Sequence, residues 1–143
     1  TPYARSKFEA ELALQALCNE GSMELVIIRP PLVYAAHAPG NFSTLLKVVA
    51  KELPLPFSLV KNQRSFVALE NLIDFITLCV SHPKAANETF VVADKERVST
   101  PELIRFLGLG MGKHNRLVPV PVSMMKLGAK LVGKGAMYEQ LCG

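Results

Sequence analysis

Tyr3 and Lys7 stand four positions apart in TPYARSKFEAELALQAL, a stretch rich in helix-forming residues. In a helix that spacing puts both side chains on one face, one turn apart. A phenol titrates near about 10 and is a poor base at neutral pH unless a cation favours the phenolate. A lysine ammonium one turn away supplies that field, so the pair has the makings of a proton acceptor for a substrate hydroxyl. An ordinary exposed helix face would show the same spacing, and the two residues alone leave both readings open. Arg64 is the second position of interest. It precedes the apolar run SFVAL and follows Lys47, Lys51 and Lys61. A guanidinium fork offers paired donors in one plane and suits a diphosphate; a solvated surface arginine is the other reading.

Other motifs carry less. GLGMG at 108–112 follows a helical pattern rather than a strand, so it reads as a helix end, not a dinucleotide loop. There is no GxxxxGK phosphate loop. His37, His82 and His114 have no partner at metal-ligand spacing, and no metal is expected. His37 falls in a loop after a strand, where function is often carried; His82 and His114 read as plain loop residues. Cys18, Cys79 and Cys142 are far apart with no CxxC, which predicts free thiols in a reducing, cytoplasmic setting. NFS at 41–43 and NET at 87–89 read as chance matches to a glycosylation pattern.

With 143 residues, half of them apolar, the chain is one modest domain or part of a larger one. The net charge of +4 is dispersed, without the basic, aromatic-interleaved tract of a nucleic-acid binder. Mild positive charge also suits a phosphorylated small molecule. The longest charge-free stretch, 30–46, holds three prolines and cannot span a membrane.

The elements that would position these residues read as α/β. A helix over 4–19, closed by Gly21, carries two apolar stripes (Phe8, Leu12, Ala16 and Ala10, Leu14, Leu17), predicting a helix sandwiched between layers. MELVIIRPP reads as a buried parallel strand, followed by a loop through PPLVYAAHAPGN. FSTLLKVVAKEL is an amphipathic helix with Asn41 as its expected cap, LPLPFSLVKNQ is irregular, and RSFVAL is extended. ENLIDFITLCVSH is a helix stopped by Pro83, and ETFVVAD is a strand. Ser99, Pro101 and Glu102 form a capping-box start for the helix over 99–112. RLVPVPV reads as extended, SMMKLGAKLVGKG as a closing helix, and Met124 and Met125 as core.

In order, YARSK, IIRPPLVY, Asn41, RSFVALENLIDFI and ETFVVADKERVSTPEL resemble the C-terminal half of an extended short-chain dehydrogenase/reductase. The similarity is to the nucleotide-sugar epimerase/dehydratase family, in its UDP-glucose 4-epimerase-like group, and covers nearly the whole chain. It implies the C-terminal part of a Rossmann-type parallel sheet plus a smaller α/β substrate-binding lobe. Residues 1–34 would end the NAD-binding domain. Residues 35–143 would form mainly the substrate lobe, with some segments returning to the sheet. Tyr3 then resembles the catalytic base, and Lys7 the residue that holds the nicotinamide ribose and lowers the tyrosine's pKa. Pro30, with the backbone near Leu32 and Val33, matches the nicotinamide-lining segment. Asn41 and Arg64 match residues that meet the diphosphate of the sugar nucleotide.

The sequence departs from the family pattern where Ala35-Ala36 replace Gly-Pro, Leu32 replaces a frequent Asn, and Glu70 replaces Asp. The resemblance implies an NAD-dependent epimerase acting on a nucleotide-diphosphate sugar, with NADP an open alternative and a homodimer packed through the YxxxK helix. A reductase or dehydrogenase of the same family, or a non-catalytic remnant serving as an interaction module, are the rival readings. The glycine-rich loop and the Ser/Thr partner would precede residue 1, so the chain is expected to be a piece of a longer protein.

Overall fold

A computed structural model describes residues 2–36, 40–131 and 133. The chain opens with α1 (Pro2–Asn19) and then enters two small sheets. In the first, β1 (Ile27–Arg29) pairs in parallel with β4 (Thr89–Val91), with Ile28 opposite Phe90. In the second, β2 (Leu32–Tyr34) pairs in parallel with β3 (Arg64–Ala68), and β3 pairs antiparallel with β5 (Arg97–Val98). The expected loop at 30–41 therefore begins with a strand. Pro30 and Pro31 lack N–H donors and interrupt the ladder, so one apolar run becomes two strands in different sheets.

The helices follow local signals closely. α2 (Asn41–Ala50) is a correction in one respect: Asn41 is its first helical residue, and Gly40, at φ 82°, takes the cap position without a side-chain hydrogen bond. Glycine suits that left-handed backbone because it has no Cβ. α3 (Leu69–Ser81) starts directly after β3 and stops at His82, ahead of Pro83. Its Leu72 is buried, and Phe75 meets Phe90 of β4 edge-on at 5.3 Å between ring centroids. α4 (Thr100–Gly110) opens with the expected capping box between Ser99 and Glu102. The Ser99 donors hold the Glu102 carboxyl below its ordinary range.

α2 and α4 build the core. Leu45 and Val49 pack with Ile104 and Leu55, and Phe57, Leu103, Leu107 and Leu117 close around them. Leu55 and Leu117 form a parallel bridge, with Arg116 O and Val118 N–H bonded to Leu55 on either side; Pro119 and Pro121 follow it. GLGMG is a helix end, as expected. A Cβ on Gly108 would lie 2.4 Å from Asn115 Nδ2, so the close approach of the following loop requires glycine there. α5 (Val122–Leu131) follows. Met125 is buried, whereas Met124 is exposed and does not join the core.

Asn62 ties the irregular segment before β3 to α4: its Oδ1 accepts from Thr100 N–H and its Nδ2 donates to Thr100 Oγ1, both at 3.0 Å. α1 differs from the other helices in having no buried residue. Both of its expected stripes are open, so the predicted sandwich is absent among the described residues. Among these residues no helix is long and apolar enough to cross a membrane.

Candidate functional site

Strand alternation and register decide which side chains share a face. Leu32 lies opposite Phe66, Tyr34 opposite Ala68, and Arg64 opposite Val98, so these six point to one face of the second sheet. Val33, Ser65, Val67 and Arg97 point to the other. The fold thus brings together Leu32, expected near the nicotinamide, and Arg64, expected at the diphosphate. Phe66 lies opposite Leu32 and two positions along β3 from Arg64, and Tyr34 lies on the other side of Leu32. A cavity of about 490 Å³ opens beside this face, lined by Tyr34, Phe42, Phe66 and Phe106, with Asp94 and Lys95 among its polar residues. The Tyr34 ring lies 6.4 Å from those of both Phe42 and Phe66. Leu32 is 50 % exposed, where an apolar contact is available.

A polar cluster sits at the end of this sheet. Tyr34 Oη and Ala68 N–H each donate to Asp94 Oδ2 at 3.0 Å, and Asn71 Nδ2 donates to Asp94 Oδ1 at 2.8 Å. These bonds, Asn71's foremost, hold the Asp94 carboxyl below its ordinary range against partial desolvation. Burial pushes the Tyr34 phenol up, and the hydrogen bond to Asp94 adds to it. Sequence reasoning missed this cluster. Tyr34 and Asp94 are 60 positions apart, and only the pairing of the strands brings them together.

Tyr3 and Lys7 share a face of α1, as the spacing predicts. Lys7 Nζ lies 5.8 Å from the centroid of the Tyr3 ring, and Tyr3 is 72 % exposed. An ammonium at that distance is within reach of the ring's field. α1 is joined to β1 by Arg29, whose guanidinium grips both carboxylate oxygens of Glu11, one bond being Nε to Oε1 at 3.1 Å. The Arg29 bonds hold Glu11 below the usual carboxylate range. This pair, too, had no sequence signal, since the partners are 18 positions apart in different elements.

Pro30 is exposed in the link between the two sheets, two residues before Leu32. Asn41 begins α2; its side chain lies outside what is described, as do His37 and Cys142. His82 Nδ1 accepts from Lys84 N–H, and His114 N–H donates to Glu52. Among the described residues no group of three or more His, Cys, Asp or Glu is placed to hold a metal, and Cys18 and Cys79 are free thiols. By chemical type, the Tyr3 hydroxyl and Lys7 ammonium suit ribose hydroxyls, and half-exposed Leu32 suits an apolar ring face. The sequence of residues 1–143 holds no GxGxxG motif of the kind that takes a pyrophosphate.

Residues 1–93 match the NAD dependent epimerase/dehydratase family. The chain is 46% identical over 142 residues to the UDP-glucose 4-epimerase of Vibrio cholerae, covering 99% of this chain and 43% of that protein. It is 26% identical over 127 residues to an N-acetyl-alpha-D-glucosaminyl-diphospho-ditrans,octacis-undecaprenol 4-epimerase of Escherichia coli O157:H7, covering 86% and 38%. The chain thus spans less than half the length of these curated relatives. Among solved structures it is similar to a Bacillus cereus UDP-glucuronic acid 4-epimerase in complex with UDP-glucuronic acid and NAD (TM-score 0.69, 18% identity, 99% of this chain and 53% of that one). It is also similar to a Thermotoga maritima UDP-glucose 4-epimerase with UDP-glucose (TM-score 0.65, 17% identity, 84% and 41%). At those identities the likeness establishes the α/β fold with a parallel sheet.

Proposed function

We propose that this chain, which belongs to the NAD dependent epimerase/dehydratase family, carries the proton-transfer pair and most of the substrate lobe of a UDP-glucose 4-epimerase-like enzyme. The observation that carries the reading is the Tyr3–Lys7 pair. Phenol and ammonium face each other on an open helix surface, in a chain 46% identical to a UDP-glucose 4-epimerase. Tyr3 takes the proton from a sugar hydroxyl, and the Lys7 ammonium favours the phenolate and holds the ribose. NAD, when bound, supplies the hydride acceptor. Pro30 and the backbone near Leu32 and Val33 line the nicotinamide. Asn41 and Arg64 hold the diphosphate of a nucleotide sugar.

In this reading residues 1–34 belong with the cofactor domain and 35–143 mainly with the substrate lobe, while β4 returns to pair with β1. The free thiols support a reducing, cytoplasmic setting, and a homodimer packed through α1 is the assembly proposed. The test is Tyr3→Phe in the intact protein that carries this chain. Removal of one hydroxyl should leave the melting temperature nearly unchanged and lower kcat by about 100- to 10,000-fold. Lys7→Met should lower kcat and also release NAD during gel filtration, because Lys7 has two roles. A Tyr3→Phe enzyme with most of its turnover would return the pair to a plain helix face.

A further inference from the structure

The chain passes between its two sheets at three places: at Pro30–Pro31 from β1 to β2, through α3 from β3 to β4, and over residues 92–96 from β4 to β5. The last passage is stapled to both sheets. Val92 N–H donates to Arg29 O of β1 at 3.4 Å. Two residues later, Asp94 N–H donates to Phe66 O of β3 at 2.7 Å. The Asp94 side chain then collects Tyr34 from the last position of β2, Ala68 N–H from the last position of β3, and Asn71 from the first turn of α3. Asp94 thereby fastens the link to β2, β3 and α3, while Val92, two residues earlier, fastens it to β1.

We propose that Asp94 is a positioning residue that keeps the β2–β3 face in register with β1 and α1, and so aligns the bound sugar with the Tyr3 helix. The proposal rests on the functional reading above. A carboxylate suits the place because it only accepts, and three donors converge on its two oxygens. An asparagine offers a single acceptor oxygen and would turn an N–H₂ toward at least one donor. None of Asp94's partners belongs to the Leu45, Val49, Leu55 and Ile104 core, so the clamp can loosen while that core persists. Arg64 and Leu32 lie on the same sheet and would keep their mutual geometry. What changes is the relation of that sheet to α1. Misplacement by about 1 Å can cost on the order of 100-fold in rate without loss of binding.

The experiment compares Asp94→Asn, Asp94→Ala and Tyr34→Phe in the intact protein. Expected are falls in kcat of about 10- to 100-fold for Asp94→Ala, less for Asp94→Asn and least for Tyr34→Phe, with the nucleotide-sugar KM within about threefold throughout. A KM rise that accounts for the whole loss of kcat/KM, or unchanged kcat in Asp94→Ala, would overturn the proposal. If Asp94→Ala does not fold, the other two variants give the same ordering test. Amide hydrogen exchange at Ala68 supplies a readout independent of turnover. It should quicken in Asp94→Asn while Leu103 in α4 keeps its protection. A wild-type protein without epimerase turnover would refute the functional reading, and unchanged exchange at Ala68 would refute the clamp.

Discussion

Around α2 and α4 the chain closes on itself: Val49 and Ile104 are both 0% exposed and touch across the two helices. Along α1 nothing is closed, and Phe8, Leu12, Leu14 and Leu17 all lie open, Phe8 at 58%. α1 is nonetheless the helix that carries Tyr3 and Lys7, and Glu11–Arg29 is its ion pair to β1. The contrast separates two sources of order. The α2–α4 region draws stability from burying its own apolar surface. The α1 region holds Tyr3 and Lys7 on a helix whose apolar stripes find no partner among the described residues.

Substitution can break or sharpen this contrast. The largest stability effect is expected at Ile104→Ala, which empties a fully enclosed site and should cost about 2–5 kcal/mol in urea unfolding. A loss below about 1 kcal/mol would mean that the α2–α4 core is not the closed region. A smaller effect belongs to the seam and depends on pH. Asp94 has its folded pKa lowered, so its contribution is present above the unfolded value and lost as pH falls through the folded one. The stability difference between wild type and Asp94→Asn should therefore be constant near neutrality and shrink below about pH 4. Tyr34 has its folded pKa raised, so its contribution is full below about pH 10 and lost as pH rises through the folded value. Tyr34→Phe should remove that alkaline limb. Smallest is Phe8→Ala, which should change the stability of this chain by no more than about 0.5 kcal/mol because the ring is mostly exposed. A cost approaching that of Ile104→Ala would show that α1's stripe is covered after all.

Much of the architecture was legible because its causes are local. The capping box of α4 depends on residues three apart, and α3 ends where Pro83 forbids continuation. Arg64 falls at the entrance of β3, as its place before an apolar run implies. The Tyr3–Lys7 contact is equally local, an interval of four within one helix. The misreadings have identifiable causes. The double proline masked β2 as a loop. Asn41 is a good capping type, yet the backbone at Gly40 took that role. The two adjacent methionines were read as a unit, though neighbouring helical positions point in different directions and only Met125 reaches the interior.

The sequence by itself determined the order and type of most elements, the helix ends, and the pairing of a phenol with an ammonium one turn away. Each of those rests on interactions within a few residues, where spacing and backbone geometry suffice. The tertiary structure alone decided that Leu32 and Arg64 share a face, that β4 returns to β1, and that Tyr34, Ala68 and Asn71 meet at Asp94. Those contacts join residues tens of positions apart. Their existence follows from strand register and from the switch between sheets at Pro30–Pro31, which no local periodicity encodes.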